Sequence, residues 1–104
     1  MRTLLKVTIP VEQGNRAIKD VTLERTMENT LNKLRPETSY FYADNGRRTA
    51  LIVFDLKNTA DIPAIAEPFF LELNANVEFS PVMNVEDLKK GLAAAMESLA
   101  VLKH

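Results

Sequence analysis

Ser39-Tyr40-Phe41-Tyr42-Ala43-Asp44-Asn45-Gly46-Arg47-Arg48-Thr49-Ala50-Leu51-Ile52-Val53-Phe54-Asp55-Leu56 holds two β-rich runs, Ser39 to Ala43 and Thr49 to Leu56, joined by Asp44-Asn45-Gly46. Asn-Gly supplies the positive φ angles that a tight hairpin demands, so the two runs are predicted to be neighbouring antiparallel strands. The period of two within each run sorts its residues onto opposite faces. Ala50, Ile52 and Phe54 share one face, and Thr49, Leu51, Val53 and Asp55 share the other.

Upstream, Leu5, Val7 and Ile9 alternate with Leu4, Lys6 and Thr8, a first strand that Pro10 ends. Gly14 and Asn15 open a helical stretch carrying Ala17, Ile18 and Val21, then Leu23, Met27, Leu31 and Leu34. The second set has helical spacings of four, four and three, but the two sets do not share a face. A break is therefore expected between Asp20 and Thr22, and Pro36 closes the segment.

Downstream, a second helix is expected from about Asp61, with the Asp61 carboxylate capping free amides and Pro63 tolerated in the first turn. Ile62, Ile65, Ala66, Phe69 and Leu73 form its buried stripe. Pro68 within the stripe removes a backbone hydrogen bond, which predicts a kink or two short pieces. Phe70 points away from the stripe, toward a partner or the C-terminal helix, and the C-terminal helix is the expected contact. Val77, Phe79, Pro81 and Met83 alternate with Glu78, Ser80 and Val82 as a fourth strand, and Pro81 places it at an edge or marks its end. Asn84 with Asp87 resembles a capping box for a helix over about residues 85–102. There Val85, Leu88, Leu92, Ala95, Leu99 and Leu102 repeat at intervals of three and four. Such a stripe suits packing on its own domain or contact with a second subunit.

The order strand, helix, strand, strand, helix, strand defines an α+β, ferredoxin-like βαββαβ domain spanning residues 1–104. Its four-stranded antiparallel sheet should carry helices on one face, with the C-terminal helix added. Alternation assigns Leu5, Val7, Ile9, Phe41, Ala50, Ile52, Phe54, Val77 and Phe79 to the core. Lys6, Thr8, Tyr40, Tyr42, Thr49, Leu51, Val53, Asp55, Glu78, Ser80 and Val82 fall on the opposite, open face. An exposed set such as Tyr40, Tyr42, Leu51 and Val53 is an apolar patch that another surface usually covers.

Composition narrows the chemistry. The 104 residues are 46% hydrophobic, enough for one ordinary core, and 13 basic against 14 acidic residues leave a net charge of −1. Scattered basic residues argue against nucleic acid or an anionic membrane as the main partner. No run approaches the roughly 18–20 apolar residues of a membrane span, and Met1 to Ile9 is too short and polar for a signal peptide, so a cytoplasmic protein is expected. Without cysteine there is no disulfide, thiol nucleophile or thiolate metal site. The only histidine, His104, is terminal, so neither a serine triad nor a preorganised metal ligand is expected. The carboxylates lack cage-like spacing, and no glycine-rich phosphate loop is present, so no metal and no cofactor is assigned. The third strand also departs from the RNA-recognition pattern, because Thr49 and Leu51 stand where bases would stack on aromatic rings.

Pro36-Glu37, Tyr40-Phe41-Tyr42, Gly46-Arg47-Arg48-Thr49, the run Asp61 to Phe70 and Pro81-Val82-Met83-Asn84 resemble a family of small, uncharacterised bacterial proteins. That resemblance assigns no catalytic residue. The element order also resembles the dimeric α/β-barrel superfamily, whose members pair sheet to sheet around a ligand cavity; it implies architecture rather than activity. The expectation is a homodimeric binding or structural module with a small-ligand cavity on the open face. Tyr40, Tyr42, Leu51 and Val53 are its interface, and Lys6, Tyr40, Tyr42, Asp55 and Glu78 could meet a small organic ligand. The alternative is a cofactor-free enzyme, isomerase or monooxygenase-like, moving protons near Lys6, Tyr42, Asp55 and Glu78 in a cavity closed by dimerisation.

Overall fold

A computed structural model describes residues 1–102; the expectation for His104 lies outside them. The chain forms β1 (Arg2–Ile9), α1 (Val11–Lys19), α2 (Thr22–Leu34), β2 (Thr38–Asp44) and β3 (Arg47–Asp55). A 3-10 turn (Thr59–Asp61), α3 (Ile62–Leu73), β4 (Asn76–Pro81) and α4 (Val85–Leu102) follow. The four strands make one antiparallel sheet in the order β2-β3-β1-β4.

The hairpin is built as its turn residues require: Asn45 and Gly46 take φ values of 52° and 78°, both in the left-handed region. The expected break between the first two helices is also present. α1 ends at Lys19, Val21 takes φ 57°, and the Asp20 carboxylate accepts a 3.0 Å hydrogen bond from the Thr22 amide. A β-branched residue in the left-handed region is strained, by about 1–2 kcal/mol. Val21→Gly is therefore expected to raise stability by about 0.5–1 kcal/mol, the relief being partly offset by glycine's larger unfolded-state entropy. A urea midpoint that moves down in Val21→Gly would show that Val21 is not strained.

The helix boundaries hold two corrections. α1 begins at Val11, directly after Pro10, rather than at Gly14, which is buried inside it. Proline suits the start of a helix, whose first amides lack intrahelical partners. Gly14 leaves room for a close approach, since a Cβ there would stand 2.6 Å from Arg48 Nη1. At α3 the Asp61 side chain caps nothing; Asn58 Oδ1 instead accepts from the Ala60 amide at 2.9 Å, starting the short 3-10 turn ahead of the helix. Pro68 sits within one continuous α3 and does not divide it.

The core lies between the sheet and α1–α3. Leu5, Val7, Ile9, Ala50, Ile52 and Phe54 meet Ala17, Ile65, Phe69 and Leu73, and Val77 and Phe79 pack against them half-buried. Thr26 Oγ1 donates to Glu72 Oε2 and Gln13 Nε2 to the Glu72 carbonyl, tying α2 and α1 to α3. One expected core residue is not buried: Phe41 is 56% exposed. It lies on the helix side of β2 as alternation requires, but no helix covers it.

The reciprocal capping box forms as expected: Asp87 N donates to Asn84 Oδ1 at 2.8 Å, and Asn84 N to Asp87 Oδ2 at 3.1 Å. Every described residue of α4 is nevertheless exposed, Phe70 included in the uncovered surface at 42%, so the expected Phe70–α4 packing is absent. The molecule measures 63 × 28 × 19 Å, drawn out along one axis by this projecting helix. No described helix is long and apolar enough to cross a membrane.

Candidate functional site

Strand register arranges the open face in rows. Tyr40, Leu51, Lys6 and Glu78 form one row across the sheet; Thr38, Val53, Leu4 and Ser80 form the next. Tyr42, Thr49, Thr8 and Asn76 make a third. Tyr40 is 66% and Tyr42 44% exposed, with Leu4, Leu51 and Val53 half-buried beside them, so the centre of this face is a continuous apolar surface. Leu4 and Thr38 extend the patch beyond the residues expected there; the alternation of β1 had already placed Leu4 on the side of Lys6 and Thr8.

A polar group closes the hairpin end of the face. Lys6 Nζ contacts Asp44 Oδ2 at 2.8 Å, and the Tyr42 hydroxyl donates to the same oxygen at 3.3 Å. The hydrogen bond to Asp44 is the main reason that the Lys6 ammonium is held above its ordinary range, with the Asp44 charge adding to it. The hydrogen bond from Lys6 holds the Asp44 carboxyl below its own. Asp44 is the residue that sequence reasoning missed, because it read as part of the turn; its spacing of two from Tyr42 was the available signal. Glu78 neighbours Lys6 across the β1–β4 pair but makes no ion pair among the described residues.

Asp55 does not join this group. It pairs in register with Arg2, four residues and thus about 13 Å along β1 from Lys6. There it accepts from the Met1 ammonium at 2.6 Å, the main cause of its lowered pKa. Arg2 also bridges Glu37 at 2.8 Å and Asp87 at 2.7 Å, which roots the first turn of α4 at the open-face side of this end. Of the five expected ligand residues, Lys6 and Tyr42 therefore meet at Asp44 and Glu78 neighbours Lys6, whereas Tyr40 on β2 and Glu78 on β4 stand at opposite edges of the sheet, about 14 Å apart, and Asp55 lies at the other end of the strands.

A large concavity lies on the other face of β2. A crevice of about 690 Å³ runs between α2 and the sheet, lined by Ile9, Leu23, Met27, Leu31, Phe41 and Ala50. Glu24 and Glu28 stand on its helical wall, and Arg48 lies on the sheet side. It exists because α2 buries only Thr26 and Thr30 and leaves Leu23, Met27 and Leu31 half-covered. No group of three or more His, Asp or Glu side chains that could hold a metal ion occurs among the described residues. The chain matches no protein-family model and no curated protein sequence.

The Lys6–Asp44 pair carries a pH signature. A carboxyl held low when folded adds stability above its unfolded pKa of about 4 and loses it as pH falls through the lower folded value. An ammonium held high adds stability below about pH 10 and loses it above. Asp44→Asn should therefore be less stable than the parent at neutral pH, with the gap closing in acid. Denaturation midpoints of the two proteins that differ by the same amount from neutral pH to pH 2 or so would count against this.

Proposed function

We propose that this chain is a homodimeric binding module of the dimeric α/β-barrel kind, in which two open sheet faces are buried against each other around a small organic ligand. One observation carries the reading: Tyr40, Leu51, Val53 and Leu4 form an uninterrupted apolar surface, exposed at Tyr40 and half-buried at the other three. A ferredoxin-like arrangement fits it, since the sheet order read from the far edge is β4-β1-β3-β2. In that arrangement the helices between the strands cover one face and leave the other for a partner. Lys6, held protonated by Asp44, suits a ligand carrying an anionic group, and Tyr40 and Tyr42 suit its apolar body.

The second reading is proton-transfer chemistry on the same face, favoured by Lys6, which meets Tyr42 at Asp44 on one side and neighbours Glu78 across the β1–β4 pair on the other. Lys6 and Asp44 are engaged as an ion pair, which favours their charged forms and leaves Glu78 as the available base. Binding of a ligand without turnover supports the module; turnover that disappears in Glu78→Gln with binding retained would favour the enzyme.

The first test is the solution mass by light scattering over a wide concentration range. A stable dimer is expected. A monomer at every concentration overturns the reading and leaves the open face as a docking surface for a different protein.

A further inference from the structure

α4 and the α2–β2 crevice are complementary surfaces on one chain. The helix carries Val85, Leu88, Leu92, Ala95, Leu99 and Leu102 at the first and fourth positions of successive heptads, and every described α4 residue is exposed. The crevice is apolar, open and walled by α2, with Phe41 exposed on its floor. A helix laying an apolar stripe into such a groove is a recurrent mode of recognition. Net charge agrees with it, since Glu24 and Glu28 outnumber Arg48 in the crevice lining. Lys89 is the only charged residue directly flanking the stripe among the described positions, at the fifth place of its heptad. Glu24 and Glu28 sit on the crevice wall without an ion pair among the described residues.

We propose that α4 of one copy docks in the α2–β2 crevice of a second copy, burying Phe41, Leu23, Met27 and Leu31 and setting Lys89 against Glu24 and Glu28. This rests on the dimer proposed above and adds the exchange of an arm to the sheet contact. The same protomer is a poor host for its own helix: Asp87 is tied through Arg2 to the open-face side, whereas the crevice opens on the other. Its tether is also short, since only Val82, Met83 and Asn84 separate β4 from α4. Two α4 helices zipped together are disfavoured as well, because no acidic residue flanks the stripe to pair with Lys89. An 18-residue helix is about 27 Å long and about 10 Å wide. The crevice wall from Leu23 to Leu31 is about 12 Å long, so two docked helices bury about 500 Å² counting both sides, and the sheet contact supplies the rest of the roughly 1,000 Å² a specific interface needs.

The absence of cysteine makes the test clean. Met27→Cys and Leu92→Cys are introduced together in one chain, oxidised with diamide and separated on a non-reducing gel. The expected product is a disulfide-linked dimer that neither single variant forms. Leu92→Cys alone cross-linking as well as the pair shows α4–α4 contact and overturns the proposal. A cross-link within one chain overturns it in favour of back-folding. No cross-link in a protein that light scattering shows to be dimeric refutes the arm exchange and spares the sheet contact, whereas a monomer by light scattering removes both. Charge exchange supplies a second measurement: Glu24→Lys with Glu28→Lys should raise the dimer dissociation constant about tenfold or more, and adding Lys89→Glu should restore it. Failure of Lys89→Glu to restore it also overturns the contact.

Discussion

Tyr40→Glu is expected to yield a folded monomer in place of a dimer. Tyr40 is 66% exposed in the protomer and stands on the edge strand β2 beside Leu51, so its replacement removes little packing from the isolated fold. The protomer should lose no more than about 1 kcal/mol, the span of strand propensities. The cost falls on the proposed dimer, where a twofold interface buries two carboxylates while each Lys6 ammonium is already engaged by Asp44. Desolvating an unpaired ion costs several kcal/mol, so the dissociation constant should rise at least about 100-fold. Light scattering and a denaturation curve on the same sample separate the two effects. A Tyr40→Glu protein that stays dimeric at the parent's dissociation constant removes the open face from the interface.

Phe69→Ala should be the most damaging single truncation in the core, costing about 3–5 kcal/mol. Phe69 is fully buried between α3 and the sheet, the largest of the side chains with no exposed surface. The site cannot collapse readily around the loss, because the Phe69 carbonyl accepts the Ala75 amide at 3.2 Å and so fixes the end of α3 to the start of β4. Pro68 stiffens the preceding turn. Against a typical stability of about 5–15 kcal/mol, the variant should show a urea midpoint lowered by about a fifth or more at unchanged slope. A loss under about 1 kcal/mol would mean that neighbouring side chains fill the cavity.

What could be read from the residues followed from how local its cause was. The hairpin depends on Asn45 and Gly46 alone, and the capping box on Asn84 and Asp87, so both are written within a few residues. The break before α2 was visible as a change of apolar face, but the left-handed Val21 that makes it was not, since valine is a poor indicator of positive φ. Burial is a different kind of quantity. Alternation put Phe41 on the correct side of β2, yet its exposure is set by where α2 ends up, a fact of tertiary placement. The α4 stripe was equally plain, while its lack of a surface within the protomer was not. Lys6, Tyr40, Tyr42 and Glu78 could be placed on one face of the sheet because β1, β2 and β4 alternate regularly. Asp55 was grouped with them only because shared facing says nothing about distance along the strand. The crevice lay hidden because it joins α2 to β2 across the hairpin, where no periodicity reports.

The strand order has a last consequence, at β2. As the sheet's outer strand it presents unpaired backbone groups, and Thr38 to Asp44 contains neither proline nor lysine to guard them. Tyr40, Phe41 and Tyr42 flank that rim on both sides with aromatic rings. That rim is therefore a ready seed for cross-β growth, adding like strands at their spacing of about 4.8 Å, unless the proposed dimer shields it. Association would then serve as protection, and the protein's working lifetime in a concentrated solution would depend on how rarely two copies separate.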